Sequence, residues 1–255
     1  MKIRVALFAA ITLVASLVCT ADAQTEITLL SPNPIEDAIN TVVADFEAKT
    51  GTHVAVTYGT GVSTRNTVAS GKALDVSLLF APFPDAVRTG NIVPDSATVI
   101  ARLRLGVAVK KGAPKPDIST ADAVRRTFLN AASIVAIDPE RGSAGGAALA
   151  ALEKLGITEQ VKPKMILMAN AGGVQDSVAK GQYEIALGPY FSEMRNPGLD
   201  IVGALPPDAA TPIDITGFIS TTTKNAQAAR ALLDYLASPA ATPVYEKAKL
   251  FPVLR

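Results

Sequence analysis

Apolar positions along the chain follow two rhythms in turn. Residues 27–30, three of them apolar around Thr28, read as a buried strand. Ile35, Ala38, Ile39, Val42, Val43 and Phe46 then recur at i, i+3, i+4, i+7, i+8 and i+11, which is one face of a helix. Gly51 stands where a left-handed cap would close that helix. Alternation predicts a strand over 53–58, and apolar runs predict others over 76–80, 99–109, 133–138, 165–168, 185–187, 201–205 and 213–219. Between them, Ser119-Thr120-Ala121-Asp122 reads as a capping box opening a helix to about Asn130. A further helix is predicted over 147–155, closed by Gly156, and a last stripe runs through Ala229, Leu232, Leu233 and Leu236. Strands alternating with amphipathic helices predict an α/β layered fold.

The first residues obey another rule. Lys2 and Arg4 precede an apolar run over 5–18, followed by the small-x-small triplet Ala21-Asp22-Ala23. The run has 14 residues and contains Thr12 and Ser16, against the ~20 that a membrane-spanning helix needs. It reads as a signal peptide, residues 1–23, cleaved after Ala23 and directing export to the periplasm. Val18 before Cys19 does not suit a lipoprotein anchor.

Removing 23 of 255 residues leaves 232, and with them 22 basic against 22 acidic side chains. A chain without net charge is not expected to bind nucleic acid through overall basicity. The single cysteine leaves with the leader, so no disulfide, thiolate nucleophile or cysteine metal ligand is expected. One histidine, His53, cannot furnish a His-rich metal site, and it reads as structural or exposed. No metal ion and no cofactor are expected, and no serine elbow, HExxH or paired-carboxylate arrangement stands out. Asp75 could serve as a site acid or as a hydrogen-bonding residue at the start of a strand.

Candidate chemistry gathers at four strand-to-helix junctions, because open α/β sheets bind ligands beyond the carboxyl ends of their strands. The first is Leu30-Ser31-Pro32-Asn33-Pro34, where Ser31 and Asn33 offer hydrogen bonds or simply cap a helix. The second is Gly59-Thr60-Gly61-Val62-Ser63-Thr64, glycines and hydroxyls before a helix. The third runs from Asp138 to Gly146, with Ser143, Ala144 and a guanidinium, Arg141, which can fork onto an oxyanion or serve as a solvated loop charge. The fourth is Asn170-Ala171-Gly172-Gly173-Val174. Tyr190 and Ser192, after an apolar stretch, could reach a cleft, although Tyr190 could equally be an ordinary packed aromatic.

These motifs, in this order, resemble extracellular solute-binding proteins of the molybdate-binding type, within the type II periplasmic binding protein class. The resemblance rests on Phe46-Glu47-Ala48-Lys49-Thr50-Gly51 and the Gly59-Thr60-Gly61 loop. It continues in Ser70-Gly71-Lys72-Ala73-Leu74-Asp75-Val76, Gly106-Val107-Ala108-Val109, Asp138-Pro139 and Lys180-Gly181-Gln182-Tyr183-Glu184-Ile185. It implies an α/β, two-lobed fold, each lobe a mixed sheet flanked by helices, joined by two crossover strands near 99–109 and 205–219. On that template lobe I comprises residues 24–101 and 212–255, and lobe II residues 102–211, with hinge closure on a ligand. The resemblance further implies a monomeric binding protein that hands a small anion to an ABC permease driven by a cytoplasmic ATPase. Neutral donors would hold that anion, at positions matching Ser31, Gly61, Val62, Ser63, Ser143, Ala144, Val174 and Tyr190; Asn33, Thr60, Arg141 and Gly173 complete the candidates.

Departures from the family pattern bear on the ligand. Leu29-Leu30 precedes the first-loop serine, and Phe80-Ala81-Pro82-Phe83-Pro84-Asp85 replaces a Ser-Ala-(Asp/Asn) segment. A molybdate-like oxyanion and a small carboxylate both remain open as ligands. So do a periplasmic sensor or adaptor role and an exported enzyme on the same scaffold.

Overall fold

The computed structural model describes residues 25–83, 87–89, 91–190 and 196–253. The leader, Pro84-Asp85 and Ser192 lie outside the described residues. Ten strands carry the architecture: β1 (Glu26–Pro32), β2 (His53–Gly59), β3 (Val76–Phe80), β4 (Thr98–Lys110), β5 (Ile134–Ile137), β6 (Met165–Met168), β7 (Ile185–Tyr190), β8 (Leu199–Ala204), β9 (Ile213–Ile219) and β10 (Phe251–Pro252). The helices are α1 (Glu36–Thr50), α2 (Gly61–Ala69), α3 (Ala121–Asn130), α4 (Ser143–Lys154), α5 (Thr158–Val161), α6 (Ala171–Ala179), α7 (Ala226–Leu236) and α8 (Thr242–Lys247).

The strands join in the order β2-β1-β3-β9-β4-β7-β5-β6, with β8 and β10 added to β4. Parallel pairing holds β1 to β2 and β3, and β5 to β6 and β7, whereas β4 and β9 run antiparallel to their neighbours. This is a mixed α/β sheet with flanking helices in two lobes. One strand serves both. Residues 98–103 of β4 pair with β9, and residues 104–109 pair with β7.

The apolar interior divides at the same place. Leu103 packs in a cluster with Ile27, Leu29, Phe46, Leu78 and Tyr245; Leu105 packs in another with Val107, Phe128, Ile134, Leu152 and Leu187. Between them Arg104 sends Nε to the Leu205 carbonyl at 3.0 Å, tying β4 to the chain that returns toward β9. That return runs as a loop after β8 before entering β9.

Several boundaries differ from those the pattern predicts. Thr120, not Ser119, caps α3, its hydroxyl accepting from Ala123 N at 3.1 Å, while the Ser119 hydroxyl donates to Asp117 at 2.7 Å. The capping box is therefore not formed with Ser119 at its head. Helix α4 begins at Ser143, four residues before the apolar stripe suggests, because glycines disguise its first turn. A Cβ on Gly145 would sit 2.6 Å from Pro139 N and 2.8 Å from Asp138 C. Only glycine lets α4 start against the end of β5. Gly51 does close α1, at φ 72°.

Asp75 is structural. Its carboxylate accepts from Thr28 N at 2.8 Å and from the Thr28 hydroxyl at 2.9 Å, and it also accepts from the Thr223 hydroxyl. The Thr28 hydroxyl in turn accepts from Asp75 N at 2.9 Å, so β1, the start of β3 and the chain after β9 meet at one carboxylate. Asp75→Ala is expected to cost about 1.5–3 kcal/mol, the range for hydrogen bonds to a charged group. A urea titration checks this as a lower midpoint with an unchanged slope.

Candidate functional site

A cavity of about 290 Å³ opens where β1, β2, β5 and β6 end and α1, α2, α4 and α6 begin. All four strand-to-helix junctions contribute to its lining. Asn33 and Pro34 come from the first, Thr60 and Gly61 from the second, Arg141, Gly142, Ser143 and Ala144 from the third, and Asn170, Ala171 and Gly172 from the fourth. Phe80, Leu103, Ile137, Pro189 and Ile213 form apolar walls.

The geometry follows from parallel strands. Each of these junctions leads from the carboxyl end of a strand to the start of the next helix, and residues of each line the cavity. The first N–H groups of a helix have no intrahelical acceptor and carry the positive end of its dipole. Some of these donors are already used. Thr60 Oγ1 accepts from Ser63 N at 3.0 Å, and Asn170 Oδ1 accepts from Gly173 N at 2.9 Å. The first two amides of each helix, at Gly61 and Val62, Ser143 and Ala144, and Ala171 and Gly172, have no such side-chain cap.

Ser143 carries the most informative atom. Its hydroxyl is buried and, among the described residues, is the buried side-chain polar atom without a hydrogen-bond partner. It faces Gly61, where a Cβ would lie 3.2 Å from Ser143 Oγ and 3.1 Å from the Phe80 ring. A buried unpaired hydroxyl costs ~1–3 kcal/mol. The fold bears that cost at a cavity wall, next to two helix N-termini.

Arg141 supplies the charge. It is the ionisable side chain among the described residues lining the cavity. It is 65% exposed, and its Nε lies 4.0 Å from Asp138 Oδ2, a loose pair that leaves the guanidinium's donors available to a ligand. The arrangement offers many donors, few acceptors and a substantial apolar surface, which suits an anion with a nonpolar part. Among the described residues, no three His, Cys, Asp or Glu side chains are grouped to hold a metal ion.

Six of the sequence candidates line the cavity: Asn33, Thr60, Gly61, Arg141, Ser143 and Ala144. The others are placed differently. Ser31 is fully buried in β1, its hydroxyl 3.5 Å from the Pro32 carbonyl. Val62 lies in α2 outside the lining, and the Ser63 hydroxyl donates back to the Thr60 carbonyl at 3.1 Å. Gly173 is engaged by Asn170, and Val174 is buried in the apolar cluster beneath α6. The fourth-junction residues that line the cavity are thus Asn170, Ala171 and Gly172, around the start of α6 at Ala171. Tyr190 also lies outside the lining. Side chains alternate along β7, so Pro189 faces the cavity and Tyr190 turns away. Its ring lies 5.5 Å from Lys249 Nζ and packs where Gly106 leaves room.

Apolar wall residues were the part missed by a search for donors. Their signal is positional, since Phe80, Ile137 and Pro189 all stand at or near the ends of strands. His53 sits elsewhere, with Nδ1 2.8 Å from Glu47 Oε1.

Known proteins with this architecture are informative. The chain is 31% identical over 236 residues, 90% of its length and 88% of the relative's, to an aconitate isomerase from a Pseudomonas species. It is 28% identical over 240 residues, 93% of its length and 92% of the relative's, to the molybdate-binding protein ModA of Rhodobacter capsulatus. Its fold superposes on the periplasmic molybdate-binding protein of Azotobacter vinelandii with a TM-score of 0.66 at 16% identity, covering 90% of this chain and 99% of that one. A sequence model described as bacterial extracellular solute-binding protein matches residues 27–248. With that match spanning both lobes and the cavity between the four junctions, the chain belongs to the bacterial extracellular solute-binding proteins.

Proposed function

We propose that this solute-binding protein captures a small organic anion, one that carries carboxylate, between its two lobes and delivers it to the permease of an ABC importer. The observation that carries this reading is the unpartnered, buried Ser143 hydroxyl at a cavity rich in donors. A hydroxyl and helix amides supply neutral hydrogen bonds to an anion, while Arg141 supplies a fork matched to a carboxylate. The apolar walls favour a carboxylate over a bare oxyanion. A tetrahedral oxyanion has no nonpolar surface to cover Phe80, Leu103 and Ile137, and would leave them facing trapped water.

One observation favours a second reading, an exported isomerase. The relative of 31% identity is an aconitate isomerase, which acts on a small organic anion rather than transporting one. Moving a proton within such a substrate needs a base within hydrogen-bond reach. Incubating the protein with cis-aconitate and following proton NMR separates the two readings, since turnover favours the enzyme and an unchanged spectrum favours capture.

Thermal melts with molybdate, sulfate and small carboxylates test the leading reading. A ligand at a hundred times its Kd is expected to stabilise by about 2.7 kcal/mol, or ~5–10 °C for a chain of this size. Stabilisation by molybdate or sulfate but by no carboxylate would overturn it. Ser143→Ala is expected to weaken carboxylate binding by ~1.5–3 kcal/mol, the worth of one hydrogen bond to a charge. The same change is expected to raise the stability of the unliganded protein by about 1 kcal/mol, since it removes a buried unsatisfied group. Calorimetric titration and urea unfolding measure the two effects, which should have opposite signs.

A further inference from the structure

Resting on the reading of this cavity as a carboxylate site, we propose that the ligand is a polycarboxylate, with at least two carboxylates on a short hydrocarbon skeleton. One carboxylate lies at the inner wall, beside Ser143 where α2 and α4 begin. A second lies nearer the rim, against Arg141 and the start of α6.

Depth separates the two positions. Ser143 is 9% exposed and its hydroxyl is aimed into the interior, whereas the Arg141 side chain is 65% exposed. The inner wall is built from two lobes, since Gly61 opens α2 and Ser143 opens α4, and the two already approach closely, a Cβ on Gly61 lying 3.2 Å from Ser143 Oγ. Arg141 sits on the loop before α4 and reaches the outer part of the same cavity.

Donor supply points the same way. One carboxylate has two oxygens and about four acceptor positions. Uncapped amides at the starts of α2, α4 and α6, the Ser143 hydroxyl and the guanidinium together exceed that number. A single carboxylate would leave several of them dry and unpaired on closure, and unpaired buried donors are costly.

The electrostatic balance is also that of a multiply charged ligand. Three helix N-termini contribute about half an elementary charge each, and with Arg141 they present roughly +2.5 to the cavity. Asp138 offsets part of this at 4.0 Å from Arg141 Nε. No carboxylate among the described residues lines the cavity to neutralise the rest. A dianion or trianion meets that field.

The hydrocarbon skeleton follows from the walls. Leu103, Ile137, Pro189 and Ile213 line the same cavity as the donor groups, and its volume of about 290 Å³ exceeds the ~120 Å³ that four oxygens fill at one water's ~30 Å³ each. A short carbon chain accounts for the surplus volume and the apolar contact at once.

The test removes carboxylates from a constant three-carbon spine. Calorimetric titrations use propane-1,2,3-tricarboxylate, glutarate and butyrate, with molybdate and sulfate as a separate arm, on the wild type and on Arg141→Ala. The expected result is at least a tenfold loss of affinity between the tricarboxylate and butyrate. Arg141→Ala is expected to weaken the tricarboxylate at least tenfold more than it weakens butyrate, because butyrate has no carboxylate left for the rim. Butyrate binding within threefold of the tricarboxylate, or an equal penalty from Arg141→Ala on both, would overturn the polycarboxylate assignment while leaving carboxylate capture intact. Tight binding of molybdate or sulfate with no carboxylate bound would instead overturn the underlying reading, and this assignment with it.

Discussion

A buried strand must satisfy its backbone N–H and C=O groups along its whole length, and in this protein β4 has to do so inside two lobes at once. Its first half is satisfied by β9 and β10, and its second half by β7 and β8. Because the chain is shared, the two lobes cannot drift apart, and Leu103 and Leu105 can enter different cores only two residues apart. Arg104 stands at the change of partner, donating to the Leu205 carbonyl and lying 4.6 Å from the Phe251 ring. The place where the two apolar interiors meet is thus held by polar and cation–π contacts, which can rearrange without opening either core.

With the lobes fixed on a common strand, the parallel pairs on each side determine where chemistry can occur. β1 and β2 end on one side of the cavity, β5 and β6 on the other, and each hands over to a helix whose amino end faces inward. The result is a positive field made mainly of backbone, with one guanidinium added at the rim. Such a field does not depend on net charge, so it is available to a chain with 24 basic and 23 acidic residues.

Much of this was legible in the sequence, and the residues where it was not depend on features that a local pattern does not carry. The α1 face from Ile35 to Phe46, the Gly51 cap and strands at 76–80, 165–168 and 213–219 follow from periodicity, which depends on local side-chain direction. The first turns of α4 and α6 escaped, because Ser143-Ala144-Gly145-Gly146 and Ala171-Gly172-Gly173 carry weak helix formers and no apolar stripe. Gly173 and Val174, candidates at the fourth junction, lie just beyond Ala171 and Gly172, which line the cavity. The face Tyr190 takes was not legible either, since it is set by the register of β7 on β4.

Local pattern by itself determined the alternation of strands and helices, the four junctions and the kind of chemistry they favour. These follow from hydrophobic period, from glycine and hydroxyl content, and from the dipole that every helix start carries. Tertiary structure alone decided that the four junctions share one cavity, that Phe80, Leu103 and Ile137 wall it, and that Ser143 is left without a partner inside it. Those are relations between residues far apart in the chain, fixed by which strands pair and in what register, and no local window contains them.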